Sequence, residues 1–108
     1  MSAYPYEEDA MSIFVDPLRD HGWRLGPSCH MFASSAEELH AFAHRLGLRR
    51  AWFQDERVPH YDLTARKRAL ALQHGAIELP MRAAYRYWVA RGWMPQLLAP
   101  IEGEELTQ

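Results

Sequence analysis

Six histidines in a chain of 108 residues, some of them close to carboxylates, mark where chemistry could sit. His60-Tyr61-Asp62 is the sharpest case. Side chains alternate along an extended segment, so His60 and Asp62 project to one side and Tyr61 to the other. A histidine beside a carboxylate can serve as a general base held in one tautomer, or as half of a metal site. The plainer alternative is an Asp62 that only helps Thr64 cap the next helix. Asp16 ends an apolar run and His30 lies on a second run, so His60, Asp62, Asp16 and His30 form the candidate catalytic set. Within it His30, His60 and Asp16 are candidate ligands for a divalent metal. Cys29 is a weak nucleophile candidate, because its neighbour His30 faces the opposite way on a strand.

Two further groups carry charge. Arg66-Lys67-Arg68 occupies the first turn of a helix that Thr64 caps. Cations there oppose the helix dipole at about 0.3–1 kcal/mol each when exposed. Free N–H groups and basic side chains aimed at one phosphate would repay that cost, and plain solvation is the alternative. Glu38 and His40 join them as ligand-binding candidates. His40 and His44 have the i, i+4 spacing that lets two imidazoles share one zinc, although the full His-Glu-x-x-His signature is missing.

These side chains need elements to hold them. The clearest is the helix starting at Ser35, where Leu39, Phe42, Ala43 and Leu46 fall at i, i+3, i+4 and i+7. Ser35 and Glu38 make a capping box, and Gly47 supplies a left-handed stop. Short β-rich runs are expected at 12–15, 28–33, 51–54, 60–63 and 76–79. A second helix over 65–74 should turn Ala65, Ala69 and Leu72 inward, with Gly75 as its stop. A third over 81–91, with Pro80 as its first residue, should bury Met81, Ala84, Tyr85 and Trp88. Strands alternating with helices predict a single small α/β domain, a short sheet packed with about three helices. Residues 1–11 read as a flexible leader, 12–93 as the domain and 94–108 as an irregular tail; at this end of the chain only Trp93 and Leu97-Leu98 are expected to dock. Strand order is left open.

Apolar residues make up 48% and charged residues 24%, the balance of a globular domain. No apolar run reaches the length of a membrane span, so no membrane is expected. A single cysteine excludes an internal disulfide and, with no signal-like leader, predicts a cytoplasmic protein. The net charge of −2 conceals an uneven distribution. Residues 1–44 carry two Lys/Arg against seven Asp/Glu, and residues 45–91 carry ten against four. A basic middle suggests an anionic partner (phosphate, nucleotide or nucleic acid), and internal neutralisation is the alternative.

The ordered pieces together resemble an uncharacterised bacterial and phage family, domain of unknown function 4031. The pieces are the run ending in Asp16-Pro17, His30, Glu38-Leu39-His40 with Phe42-Ala43, Gly47, Phe53, His60-Tyr61-Asp62 and Gly75-Ala76, spanning roughly residues 12–79. The resemblance implies no activity. It does single out Asp16, His30, Glu38, His40, His60 and Asp62 as one polar set. Three functions stay open: a hydrolase acting on a phosphate-containing substrate, a non-catalytic nucleotide or nucleic-acid binding module, and a protein–protein adaptor anchored by Trp52, Trp88 and Trp93. His30 and His60 are expected in one cleft, with Asp62 orienting His60 and Arg66 meeting the ligand's anionic group.

Overall fold

The strand Ile13–Val15 (β1) is buried at every position, which is why it reads as an unbroken apolar run rather than an alternating one. The computed structural model describes residues 12–96 and places β1 inside a four-stranded sheet. Its other strands are Ser28–Ala33 (β2), Tyr61–Thr64 (β3) and Ile77–Glu78 (β4), in the order β3-β2-β1-β4. β1 pairs antiparallel with β2 and parallel with β4, and β2 pairs antiparallel with β3. β3 and β4 therefore run the same way, with two strands between them. The helix between them must cross one face of the sheet.

Strand alternation divides the core into two layers. Ile13, Val15, Cys29, Met31, Tyr61 and Leu63 face the helix Ala36–Arg45 (α1) and Ala71 of the helix Ala65–Gln73 (α2). Phe14 and Phe32 face the other way, onto Ala84, Tyr87 and Trp88 of the helix Met81–Ala90 (α3). The Phe14 ring lies 4.9 Å from Tyr87 and 5.8 Å from Phe32. Fully burying each such aromatic stabilises by roughly 1.5–3 kcal/mol.

α1 follows its sequence pattern closely. Ser35 Oγ accepts from the Glu38 backbone N–H at 3.2 Å, Leu39, Phe42 and Ala43 are buried, and Gly47 closes the turn at φ +82°. α2 is turned relative to expectation: Ala71 is buried, whereas Ala65 and Ala69 are exposed. Arg68 explains the rotation. Its side chain is only 11% exposed and Nε donates to the Asp16 carbonyl at 2.9 Å, so positions 68, 71 and 72 face the sheet. In α3, Tyr87 takes the buried place expected of Tyr85, which is half-buried with its hydroxyl donating to Pro95. Pro80 is the N-cap of α3 rather than its first residue.

The expected strand at 51–54 does not form. Arg50–Trp52 is a 3-10 turn, and only Gln54 pairs, in a single bridge with His60. Aromatic β-propensity gives way to packing here, since the Phe53 ring sits 4.5 Å from His40 and 5.5 Å from Tyr61. Trp93 docks as expected, 6.0 Å from Tyr87. The leader at 1–11 and the tail from Leu97 onward, with Leu97-Leu98, lie outside the described residues. Among the described residues no helix is long and apolar enough to cross a membrane.

Candidate functional site

Register builds the site. Val15 stands opposite Met31 and His30 opposite Asp62, so the residue after β1, Asp16, comes level with His30. The Asp16 N–H donates to the His30 carbonyl at 3.2 Å. Asp16, His30 and Asp62 thus form a row across three strands, on the face that α3 covers. His60, two residues before Asp62, adds a fourth group on that side. Of α3, Trp88 reaches the row, its ring 6.0 Å from His30 and perpendicular to it. The remainder opens into a cleft of about 430 Å³, with His21 and Trp23 on one side and Gln54 and Glu56 among its other residues.

Each ring nitrogen can be placed by its partner. Asp16 is 1% exposed; its Oδ1 accepts the His30 backbone N–H and its Oδ2 lies 2.7 Å from His30 Nδ1. A carboxylate there holds the proton on Nδ1 and leaves Nε2 with its lone pair. His60 Nδ1 donates to the Val58 carbonyl at 2.6 Å, while Nε2 lies 3.4 Å from Asp62 Oδ1. The second Asp62 oxygen accepts from Gln54 Nε2 at 2.5 Å. The two imidazole rings meet edge to face with centroids 4.8 Å apart.

The electrostatics follow from these contacts. Burial pulls the His60 pKa down, but the hydrogen bonds to Asp62 and the Val58 carbonyl, with the Asp62 charge, outweigh it and the net shift is upward. Asp62 moves below the usual carboxylate value, chiefly through the His60 hydrogen bond, helped by Gln54 and the two histidine charges against its partial burial. Burial, with the Asp16 charge behind it, pushes the Cys29 thiol up to about 12. Cys29 faces the other layer of the core, so it is not part of the cleft.

One nitrogen each from His30 and His60 and a carboxylate oxygen of Asp62 lie within 4.8 Å of one another. Two donors on a single zinc ion stand at most about 4.2 Å apart, so a small side-chain shift lets all three bind one cation. Asp16, expected as a direct ligand, is instead engaged with the far nitrogen of His30. That is the outer position from which a carboxylate fixes a ligating imidazole.

The family described as "Protein of unknown function (DUF4031)" matches residues 13–91. The chain belongs to this family. Neither a curated protein nor a solved structure matches it.

The DUF4031 domain separates the six residues of the polar set into two groups. Asp16, His30, His60 and Asp62 gather at the cleft. His40 lies across the sheet, with Nδ1 2.8 Å from the Tyr61 hydroxyl and its ring against Phe53. Burial, and then the Arg50 charge, lower its pKa. Glu38 sits at the start of α1 and accepts from Ser34 Oγ. His44 is exposed, and among the described residues the His40–His44 pair is not part of a metal-sized cluster.

The basic run of α2 is likewise divided. Lys67 Nζ donates to the Leu46 carbonyl at 2.6 Å, and Arg68 bonds Asp16 and Glu78. Arg66 borders a separate groove with Thr64, Lys67 and Gln73 and is not among the residues lining the histidine cleft. Of the three tryptophans considered as anchors, Trp88 is buried, Trp93 packs against the core and Trp52 alone is open, at 50% exposure. Sequence reasoning missed His21, Trp23, Gln54 and Glu56. The first two carried a faint signal, lying in the loop beside Asp20-His21-Gly22; the others face the cleft through the single Gln54–His60 bridge.

Proposed function

We propose that this DUF4031 protein is a metal-dependent hydrolase in which His30, His60 and Asp62 hold one divalent cation. The observation that carries this reading is that both imidazoles have Nδ1 engaged, by Asp16 and by the Val58 carbonyl. His30 Nε2 is thereby left to ligate, and His60 Nε2 ligates once a cation displaces the proton it shares with Asp62 Oδ1. Two histidines and one carboxylate suit zinc, manganese or iron and leave coordination positions for water and substrate. A cation held there would polarise a substrate oxygen and lower the pKa of bound water to about 7. The protein's own residues fix the imidazoles, and Glu56, which borders the cleft, is placed to take up or return a proton there.

The substrate we infer is a phosphodiester. Among the described residues no lysine or arginine borders the cleft, so a doubly charged phosphate monoester would find little besides the cation to meet it. A singly charged diester asks for less. Purified protein titrated with Zn²⁺ and Mn²⁺ should bind one equivalent, and His30→Ala and His60→Ala should each abolish it. The loaded protein should then hydrolyse bis(p-nitrophenyl) phosphate above the rate of free metal, with loss in EDTA. Absence of stoichiometric binding would sink the metal reading. Binding without turnover of any diester would leave a ligand-binding module in its place.

A further inference from the structure

The corner where α1 runs into the Arg50–Trp52 turn has a composition the cleft does not explain. From residue 39 to residue 54 there is no Asp or Glu, and Arg45, Arg49 and Arg50 are all exposed. Each is held near an aromatic face. The Arg45 guanidinium lies 5.3 Å from the Phe42 ring centre, Arg49 5.9 Å from Trp52 and Arg50 5.2 Å from Phe53. None has a carboxylate within salt-bridge reach among the described residues.

The neighbouring element adds to the same sign. Lys67 Nζ reaches the Leu46 carbonyl, which brings the α2 start, with exposed Arg66, against the end of α1. No acid occurs from residue 63 to residue 77 either. Trp52, next to Arg49 and Arg50 in the chain, has half its surface open. Its ring has a guanidinium, that of Arg49, beside it, and every nucleobase has a face that can stack on such a ring. The arginines are stiffened over rings in advance, so less freedom is lost when they meet phosphates.

We propose that Arg45, Arg49, Arg50, Trp52 and Arg66 form a binding surface for single-stranded nucleic acid. Trp52 stacks on a base and the arginines follow the backbone. The surface stands independently of the metal. Its link to catalysis rests on the hydrolase reading: Gln54, two residues after Trp52, borders the cleft, so a strand on this surface lies beside the route to it.

Fluorescence anisotropy with a labelled 20-nucleotide single-stranded RNA, in EDTA, tests the surface apart from the metal centre. Four neutralised phosphates give a slope near −2.8 against log salt, so affinity should fall about 50-fold between 50 and 200 mM salt. Arg45→Gln/Arg49→Gln/Arg50→Gln should flatten that to about threefold. Trp52→Ala should weaken binding about tenfold at either salt. All four positions are exposed, and circular dichroism confirms that the variants fold. No binding at 50 mM salt, an unchanged slope in the triple variant, or a duplex bound as tightly as the single strand with Trp52→Ala silent, overturns the proposal. A failed metal titration leaves this result standing, and a failed anisotropy measurement leaves the metal titration standing.

Discussion

Asp16 meets His30 twice, its Oδ1 on the backbone N–H and its Oδ2 2.7 Å from Nδ1. The buried carboxylate therefore accepts two donors from one residue. Asparagine in its place would have one oxygen for two donors. It either gives up the backbone bond or turns its amide toward Nδ1, which drives the imidazole proton onto Nε2.

Asp16→Asn should accordingly leave the domain folded but cut metal affinity by about 10–100-fold, the usual effect of losing an outer carboxylate. Competition against a zinc-binding dye measures the affinity, and ¹⁵N chemical shifts report the His30 tautomer. Unchanged affinity with the Nε2–H tautomer present would remove Nε2 of His30 from the ligand set.

The two perturbed histidines should titrate in opposite directions. His60 moves above 6.5 and His40 below it, so the two ring signals separate in a ¹H NMR titration. The raised His60 value makes its stabilising contribution complete below 6.5 and lost as pH climbs through the folded-state pKa. Asp62, lowered from 3.8, contributes above that value and loses its contribution as pH falls through the lowered one. Metal must displace the His60 proton, so apparent affinity should rise about tenfold per pH unit below the His60 pKa and flatten above it. An affinity independent of pH between 5 and 7 would remove His60 from the site.

Cys29 should be inert in the native protein. It is 1% exposed with its thiol pushed up to about 12, so thiolate is scarce at pH 8. Ellman's reagent should label it only after denaturant is added. Stoichiometric labelling of the native protein within minutes would contradict its position in the core.

What the sequence made legible was local. The α1 stripe, its Ser35 cap and its Gly47 stop depend on neighbours within a few residues, and all three are where the pattern put them. The His60-x-Asp62 alternation is local too, and both side chains reach one cleft. The level pairing of Asp16 with His30 spans the β1–β2 connection and depends on a register no short window contains. That is why Asp16 was expected as a ligand and is found behind His30, on its Nδ1. The α2 face was misassigned because Ala65 and Ala69 fit a helical stripe as well as Ala71 does. The choice among them is made by Arg68 reaching Asp16, 52 positions away.

The division of the Arg66-Lys67-Arg68 run offers the most discriminating test of the fold. Arg68 is nearly buried, with Nε donating to the Asp16 carbonyl at 2.9 Å and Nη2 2.9 Å from Glu78 Oε2. Glu78 is 61% exposed, so that ion pair is screened, and Glu78→Gln should change stability by less than about 1 kcal/mol. The bond to Asp16 is different, because its loss strands a carbonyl beneath α2. Arg68→Ala should cost about 1–3 kcal/mol in urea unfolding, and Arg68→Lys should recover only part, since one ammonium lacks the fork that serves both partners. Arg66→Ala, on the exposed side of the same turn, should stay within about 0.5 kcal/mol. Arg68→Ala should also weaken metal binding, because the carbonyl it holds belongs to the residue that orients His30. Equal destabilisation by Arg66→Ala and Arg68→Ala would mean that α2 does not present position 68 to the sheet.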